Sequence, residues 1–555
     1  MNIIENLSFV GTDERVRKFL LPKRIVKTSG TVLDEENLLK QKSMQIGLSE
    51  TSFTVLKNDS SSNRASVLLD FGTEIHGGIR LMIYHINCAS YPQVRLTFGE
   101  SVAEAESRLG EKNAKNDHAV RRFTVPAPGL SDQEWGQTGF RFVKIELMTK
   151  NASIELKSAL AVFVYRDYEY KGNFSCNDEL INRIYDTAVY TCHLNLQNMV
   201  WDGIKRDRLV WIGDMMPESM TVHDVFGSVK IVEESLNFIK EQTPVSSWMC
   251  DLPSYSMWWI LILWDWYMAS GNKAFLNDNK DYVIELLYKL CGLVNDDGSD
   301  NLPNYFFDWP TNGKKSAKSG VRALLRMTLD CGSRLADYFK EKELEKQCKK
   351  QRECLDLISD KHYNTKQTAA FLAVSGALKS EEAAKIITQN GTLGFSTFLL
   401  YYILRAAFEG GKEEETLSLL KEYSAQMLDK GATTFWEDFH SQWCENSGNI
   451  TEMPSPSQRD IHGDCGAFCY KGFRHSLCHG WASGAVPFLT ECVLGVKILE
   501  PGCKTVKIEP HLAGLEWVKG TFPTPFGEIE IFHKLGENGE VITEVKAPKQ
   551  IKIIK

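Results

Sequence analysis

Residues 174–196 read FSCNDELINRIYDTAVYTCHLNL, and the hydrophobic pattern of the chain changes within this stretch. Apolar residues begin to recur at intervals of three and four, which predicts an amphipathic helix. These apolar positions are Leu180, Ile184, Ala188 and Cys192. Ser175 or Asn177 is placed to cap the start of the helix. From here to about residue 490, the same periodicity predicts roughly ten to twelve helices separated by polar loops.

The most apolar stretch lies at residues 257–269, MWWILILWDWYMA. Asp265 interrupts it, and it is shorter than the roughly 20 residues that a membrane-spanning helix needs. It is apolar around the whole circumference of the predicted helix, which is typical of a helix buried on all sides. A long run of helices that includes fully buried members predicts an (α/α)6 toroid.

Strand patterns precede and follow the helices. Between residues 67 and 168, six short runs rich in β-branched and aromatic residues are separated by Gly, Pro and Asp clusters, which favours a β-sandwich. After residue 490 the strand signals return, with a turn expected at residues 523–527. The sequence therefore predicts a multidomain α+β protein with an N-terminal β-sandwich (1–170), an (α/α)6 toroid as catalytic domain (171–490) and a small C-terminal β-domain (491–555).

Composition narrows the function classes. A chain of 555 residues is too long for one core and should divide into several domains. The net charge of −8 argues against nucleic acid as a partner, because phosphate binding depends on Lys and Arg. The 14 cysteines follow no disulfide framework, and the spacing of Cys465, Cys469 and Cys478-His479 fits no common zinc motif. We therefore expect neither a metal nor another cofactor.

The N-terminal residues MNIIENLSFVGTDERVRKF lack a basic region followed by an apolar one, so no signal peptide is expected. This pattern predicts a cytoplasmic protein, or a periplasmic one if a leader had been removed. No membrane partner is expected, and assembly as a homo-oligomer is left open.

Residues 201–214, WDGIKRDRLVWIGD, form the densest cluster of chemistry in the chain. They hold three carboxylates, three cations and two tryptophans. Gly203 and Gly213 lower the helical propensity, so we expect a loop that leads into a helix at the mouth of the toroid. Loops on a rigid scaffold commonly carry catalytic groups. The alternative from the residues alone is a salt-bridged surface loop.

The run Asp202-x3-Arg206-Asp207-Arg208-Leu209-x-Trp211-x-Gly213-Asp214 resembles the active-site signature of the α-L-rhamnosidases, glycoside hydrolase family 78. Other motifs resemble the same family in the same order along most of the chain. They are Asp70-Phe71-Gly72, Gly77-Gly78-Ile79-Arg80, Thr138 to Val143, Pro253 to Tyr267, Thr433-Thr434-Phe435-Trp436-Glu437 and Ser476-Leu477-Cys478-His479-Gly480. The order of the motifs is more specific than any one of them.

The resemblance implies an inverting glycosidase that releases terminal α-L-rhamnose, or a similar deoxy-sugar, from a small carbohydrate or glycoside. It places Asp207 as the general acid and Glu437 as the general base. The residues that it implies around the sugar are Asp202, Arg206 and Asp214 at its hydroxyls, Trp211 and Trp436 along the pocket, and His479 beside the sugar or an acid. In this family the acid is often Glu, so Asp207 is one methylene shorter, and Arg206 and Arg208 are expected to lower its pKa.

Several residues also have structural interpretations. Glu437 could lie in a surface turn, and His479 could be a buried core histidine. Asp308 could contact the sugar from a loop at the mouth of the toroid or cap a helix. We expect Glu218 to be a first-turn helix residue that interacts with the helix dipole.

Two other functions fit the sequence. The first is a lyase or hydrolase directed at uronic acids on the same scaffold, in which Lys205, Arg206 and Arg208 would neutralise the uronate. The second is a glycan-binding protein whose catalytic acid has been lost, which the Asp at position 207 would explain.

Overall fold

The N-terminal strands form one branched, nine-stranded sheet in this computed structural model, which describes residues 7–8, 10–60, 63–359 and 362–555. Residues 1–6, part of the segment inspected for a signal peptide, lie outside the described residues. The central order is β3-β4-β9-β5-β8-β6-β7, with β1 on β9 and β2 on β5. The strands are β1 (Arg15–Leu20), β2 (Arg24–Ser29), β3 (Thr31–Leu33), β4 (Thr54–Asn58), β5 (Ser66–Asn87), β6 (Gln93–Gly99), β7 (Arg122–Pro126), β8 (Ser131–Leu147) and β9 (Ala152–Arg166).

Residues 67–86, predicted as two strands, belong to the single long strand β5. The ladder is irregular between Asp70 and Ile75 and again at Gly77–Ile79. Gly77 has a φ of 145°, and a Cβ there would lie 1.8 Å from the carbonyl oxygen of Val162 on β9. The glycine pair therefore marks a bulge with a close strand approach, and the strand continues through it.

Helices follow from residue 179. They are α2 (Glu179–Asn195), α3 (Met215–Val225), α4 (Ile231–Gln242), α5 (Pro253–Ser270), α6 (Lys273–Asp278), α7 (Lys280–Cys291), α8 (Lys315–Tyr338), α9 (Lys342–Leu355), α10 (Lys366–Val374), α11 (Ser380–Thr388), α12 (Leu400–Glu409), α13 (Glu413–Asp429) and α14 (Ala485–Phe488), after a short α1 (Val102–Glu106) in the N-terminal sheet region. The predicted run of helices is thus confirmed, and α3 is the helix expected to follow the loop at residues 201–214.

The helices close into a ring. Contacts run from α3 to α5, α8, α10, α12 and α14, and α14 returns to α3. An outer helix precedes each of these inner ones along the chain, which makes six hairpins and confirms the predicted (α/α)6 toroid. The apolar segment 257–269 lies in the inner helix α5, where Trp258, Trp259 and Trp266 are fully buried. None of the described helices combines the length and the hydrophobicity that a membrane span requires.

The cap of α2 differs from the prediction. The N-cap residue is Asp178, whose carboxylate accepts hydrogen bonds from the backbone N–H groups of Leu180 and Ile181. Asn177, which the sequence favoured, accepts instead from the backbone N–H of Glu516, 339 residues later. Ser175 belongs to a strand. A long-range contact therefore takes Asn177 away from the local capping role.

The remaining strands form two small sheets, β10-β13-β14-β15 and β11-β12-β16. They are β10 (Asn173–Cys176), β11 (Val496–Ile498), β12 (Thr505–Ile508), β13 (Trp517–Thr524), β14 (Gly527–Leu535), β15 (Val541–Lys546) and β16 (Lys552–Ile554). The turn expected at residues 523–527 is tighter than predicted, because Pro523 pairs with Glu528 inside the hairpin. Strand β10 precedes the toroid in sequence, but it pairs with β13, which follows the toroid.

Candidate active site

Residues 201–214, which the sequence predicts to carry the chemistry, form an irregular loop between α2 and α3 that runs beside residues 478–480. Gly203 pairs with His479 in an isolated bridge, and the backbone N–H of Gly480 donates to the carbonyl of Asp202 at 2.8 Å. Gly213 packs so closely on Tyr255 that a Cβ would lie 2.4 Å from the ring. These contacts hold the loop against the start of the inner helices.

A cavity of about 390 Å³ opens at this end of the toroid. It is lined by seven residues predicted for the site, which are Asp202, Arg206, Asp207, Trp211, Asp214, Glu437 and His479. It is also lined by eight others, which are Cys250, Leu252, Tyr255, Phe306, Trp309, Cys469, Arg474 and Trp481. The structure thus brings Glu437 to the segment at 202–214 although more than 200 residues separate them in sequence.

Arg206 connects the two carboxylates that were singled out as acid and base. Its Nη1 donates to Asp207 Oδ1 at 2.8 Å, and its Nη2 donates to Glu437 Oε1. The guanidinium and Glu437 are both buried, whereas the Asp207 side chain is 17% exposed. Two carboxylates beside one buried arginine are electrostatically favourable, since the cation offsets their mutual repulsion.

Asp207 faces the cavity from an unusual backbone conformation. Asp207 and Arg208 have φ values of 52° and 55°, in the left-handed region that non-glycine residues seldom adopt. Asp207 Oδ2 accepts a hydrogen bond from Trp211 Nε1 at 3.2 Å, and Oδ1 lies 3.4 Å from His118 Nε2 of the N-terminal sheet region. The left-handed turn therefore aims this carboxylate at the cavity.

Arg208 does not pair with Asp207, contrary to the expectation that both neighbouring arginines would act on the acid. Its guanidinium donates to the backbone carbonyls of Gln137 and His118 and lies over the ring of Trp201. The positive φ at residue 208 turns its side chain away from the cavity. Of the two arginines, Arg206 alone contacts Asp207.

Asp202 and Asp214 lie deeper. Burial raises the pKa of both well above the usual range, and for Asp202 the neighbouring charge of Asp207 adds to this effect. Asp202 Oδ1 accepts from the backbone N–H of Leu209 at 2.9 Å, and Asp214 Oδ1 accepts from the Tyr255 hydroxyl at 2.7 Å. Each carboxyl keeps one oxygen free of these bonds, which suits a site for hydroxyl-bearing ligands.

Glu437 is held through its side chain and its backbone. Its Oε2 accepts from the backbone N–H of Ser476 at 3.1 Å. Its carbonyl accepts from Thr397 Oγ1 at 2.6 Å and from Trp481 Nε1 at 2.8 Å. His479 Nε2 lies 3.9 Å from Glu437 Oε1, and burial lowers the pKa of His479 to about 4. The imidazole is therefore neutral near pH 7.

Two predicted ligand residues, Asp308 and Trp436, do not line the cavity. Both are almost fully buried, and their chain neighbours Trp309 and Glu437 line the cavity in their place. Burial raises the pKa of Asp308 to about 6. Trp481, two residues after the predicted His479, supplies an indole at the cavity instead of Trp436.

Glu218 is buried beneath the site in α3, and burial followed by the charge of Asp214 raises its pKa well above the usual range. Its carboxylate lies against Gly480, where a Cβ would lie 1.4 Å from Glu218 Oε1. It does not line the cavity, in keeping with the helix position expected for it. The contact with Gly480 shows that Glu218 lies beneath the site, and the sequence alone gives no signal for this contact.

A second cavity, of about 480 Å³, lies at the other end of the inner helices. Residues along α3 and the second half of α5 line it, whereas Asp214 at the N-cap of α3 and Tyr255 near the start of α5 line the candidate site. None of the predicted site residues reaches this second cavity. The predicted chemistry therefore gathers at the end where the inner helices begin.

Two groups of buried side chains could share a metal ion within the part of the chain that the structure describes. They are Asp202, Asp214 and His479, and Glu100, Glu104 and His462. Neither group includes a cysteine. In the first group, Asp214 is bonded to Tyr255 and Asp202 to a backbone amide, as described above.

Two known protein families have domains that match this chain. The bacterial α-L-rhamnosidase six-hairpin glycosidase domain matches residues 169–472, and the bacterial α-L-rhamnosidase C-terminal domain matches residues 495–553. An α-L-rhamnosidase of Formosa agariphila is 23% identical over 153 residues, which are 26% of this chain and 16% of that protein. The chain therefore spans only a small part of that relative.

Solved structures share the fold. A GH78 family rhamnosidase of Bacillus sp. GL1 superposes with a TM-score of 0.73 at 20% identity, over 91% of this chain and 54% of that one. A Klebsiella oxytoca rhamnosidase with rhamnose bound gives 0.68 at 17% identity, over 86% and 96%. Because the six-hairpin domain accounts for more than half of its residues, this chain belongs to the bacterial α-L-rhamnosidase family of six-hairpin glycosidases.

Proposed function

We propose that this protein is a glycoside hydrolase that releases terminal α-L-rhamnose, or a similar deoxy-sugar, with inversion at the anomeric carbon. One observation carries the proposal. Asp207 and Glu437 share the guanidinium of Arg206 at the rim of one cavity, in a chain of the α-L-rhamnosidase family. Inversion needs two carboxyl groups about 6.5–9.5 Å apart, on opposite sides of the scissile bond.

Asp207 acts as the general acid and Glu437 as the general base. Asp207 is the more exposed of the two and lies where a leaving group would exit, so it delivers the proton to the glycosidic oxygen. Glu437 is buried and fixed by Ser476, so it removes a proton from the attacking water. Asp202 and Asp214, deeper in the cavity, bind hydroxyl groups of the sugar.

Arg206 contacts both carboxylates before the substrate binds. Because a general acid must carry a proton, substrate binding has to weaken the contact between Arg206 and Asp207. His479 stays neutral and donates or accepts a hydrogen bond beside Asp202 and Glu437.

The uronate-directed alternative loses support from the positions of its cations. Lys205 points away from the cavity and is bonded to buried carboxylates of the N-terminal sheet region. Arg208 is bonded to backbone carbonyls, and Arg206 is neutralised by two carboxylates. The glycan-binding alternative supposes that the acid has been lost, whereas carboxylates stand at both proposed catalytic positions, Asp207 and Glu437.

A screen with para-nitrophenyl glycosides that includes the α-L-rhamnoside tests the proposal. We expect release of nitrophenol from the α-L-rhamnoside, and proton NMR in the first minutes should show a product of inverted configuration. Initial product of retained configuration would overturn the assignment of roles. Absorbance from an unsaturated product on uronate-containing glycans would favour the lyase, and binding without turnover would favour the glycan-binding protein.

A further inference from the structure

Glu100 and Glu104 form a buried pair of carboxylates, here called the cradle, between the end of β6 and α1. The side chains of Glu100 and Glu104 have no exposed surface. Glu104 Oε2 accepts from the backbone N–H of Glu100 at 2.8 Å, and Ser101 Oγ accepts from the backbone N–H of Glu104 at 3.1 Å. This capping arrangement fixes both carboxylates in the N-terminal sheet region, which the proposed mechanism does not use.

Lys205, from the loop of the candidate site, enters the cradle. Its Nζ lies 2.9 Å from Glu100 Oε2 and 3.3 Å from Glu104 Oε1. The same ammonium donates to the backbone carbonyls of Phe473 at 3.0 Å and His475 at 2.5 Å. Lysine is buried only when its charge is compensated, so this pairing holds the loop against the sheet region. The cradle already has its cation and needs no metal.

Glu100 also holds the segment at residues 476–477, which contacts the proposed base. Its Oε2 accepts from the backbone N–H of Leu477 at 2.7 Å. In the preceding residue, the backbone N–H of Ser476 donates to Glu437 Oε2 at 3.1 Å, and the carbonyl of Ser476 accepts from the backbone N–H of Glu437 at 3.0 Å. The Ser476–Leu477 peptide unit therefore connects Glu100 to the backbone of Glu437, and the N–H of Ser476, one peptide unit earlier, reaches the Glu437 carboxylate.

The same cradle is connected to the acid. Lys205 is followed by Arg206, whose guanidinium contacts Asp207 and Glu437 together. Burial raises the pKa of Glu100 to about 7 even though Lys205 acts to lower it, so the charge of Glu100 depends on this lysine. Glu437 and Asp207 are thus both connected to Glu100 of the N-terminal sheet region, through residues 476–477 and through Lys205 and Arg206.

We propose that Glu100 and Lys205 are positioning residues, through which the N-terminal sheet region aligns Glu437 and Asp207 for catalysis. The proposal rests on the proposed function for its catalytic part. Loss of either residue should misalign the carboxylates by a fraction of an ångström to about 1 Å, which can cost on the order of 10- to 100-fold in rate. It should leave the sugar-binding carboxylates Asp202 and Asp214 in place.

The test compares Glu100→Gln and Lys205→Met with Lys157→Met. Lys157 is another buried lysine, in β9 of the N-terminal sheet, and its hydrogen bonds go to Gln45 and Glu50 rather than to the site loop. We expect kcat on the α-L-rhamnoside to fall on the order of 10- to 100-fold in the first two variants, with KM within about twofold of wild type. Lys157→Met should lower stability without changing kcat.

If Lys205→Met does not fold, the double variant Glu100→Gln/Lys205→Met removes both charges and tests the same prediction. Unchanged kcat in folded Glu100→Gln would overturn the proposal. A crystal structure of Glu100→Gln separates this outcome from failure of the proposed function, since it requires no turnover. The contact between the Ser476 amide and Glu437 should be lost or lengthened there, and an unaltered contact would also overturn the proposal.

Discussion

Glu437 and Asp207 share one guanidinium but differ in burial, so substitution of each should have a distinct effect. Glu437→Gln keeps an oxygen that accepts from Ser476 but cannot take a proton from water. We expect kcat to fall by about 10²- to 10⁴-fold, with binding of L-rhamnose retained in calorimetry. Wild-type rates on activated aryl glycosides in this variant would remove Glu437 from the mechanism.

Asp207→Asn should be selective for the leaving group. An amide cannot protonate the glycosidic oxygen, so natural glycosides should slow by about 10²-fold or more, while nitrophenyl glycosides, whose leaving group hardly needs a proton, should slow much less. Steady-state rates on both substrate types measure the difference. Asp207→Glu, which lengthens the acid by one methylene and keeps its carboxyl group, is the matched variant and should retain activity. Equal losses on both substrate types in Asp207→Asn would contradict the acid assignment.

At the scale of single elements, the start of α2 shows how a local signal is overridden. Asp178→Ala should lower the free energy of unfolding by about 1 kcal/mol, because two backbone N–H groups lose their acceptor. Ser175→Ala is the matched control, since Ser175 was a predicted cap but lies in β10, and it should change stability by less than about 0.5 kcal/mol. Urea unfolding followed by tryptophan fluorescence measures both. Equal shifts would mean that the observed cap adds little.

At the scale of the whole molecule, two large hydrophobic cores are joined by polar contacts and by small apolar clusters, such as Ala103 and Ala114 against Phe473. One core lies within the N-terminal sheet, and the other runs from the toroid into the C-terminal strands, where Val518, Phe522, Ile529 and Ile531 belong to the same hydrophobic cluster as the inner helices. Strand β10, which pairs with β13, adds a backbone connection. The domain boundaries near residues 170 and 490 stay a prediction, and β10 shows that the C-terminal sheet draws on both sides of the toroid.

His223 joins these parts at the end of the toroid away from the site. Its Nδ1 lies 2.8 Å from Asp224 Oδ1, its Nε2 lies 3.2 Å from Asp265 Oδ2, and its ring contacts Phe522 of the C-terminal sheet. Burial alone would lower the pKa of His223, but Asp224 and Asp265 outweigh it and raise this pKa to about 10. The ionised pair therefore stabilises the fold at neutral pH.

We expect His223→Gln to lower the free energy of unfolding by about 3 kcal/mol at pH 6, because Asp224 is left buried without its cation. The folded pKa lies above the ordinary value of 6.5, so this contribution is full below about pH 6.5 and is lost as the pH rises towards 10. In urea titrations, the difference in the free energy of unfolding between wild type and variant should accordingly be smaller at pH 9.5 than at pH 6. A gap that is the same at both pH values would contradict the ionised pair. The double variant His223→Gln/Asp224→Asn should recover part of the loss.

The sequence by itself determined the class of the fold. The change from strand alternation to helical periodicity near residue 174, the all-round apolar α5 and the return of strands after 490 are local patterns, and each is decided by residues a few positions apart. The segment 202–214 was recognisable for the same reason, since its charges, tryptophans and glycines are contiguous.

Only the tertiary structure decided which of these residues meet. Asp308 and Trp436 are buried, whereas their neighbours Trp309 and Glu437 line the cavity. Lys205 pairs with Glu100 outside the cavity, whereas the next residue, Arg206, lines it. Asn177 yields the cap of α2 to Asp178 because Glu516 binds it. The partners of Lys205 and Asn177 lie roughly 100 and 340 residues away along the chain, and no local period encodes their distance in space.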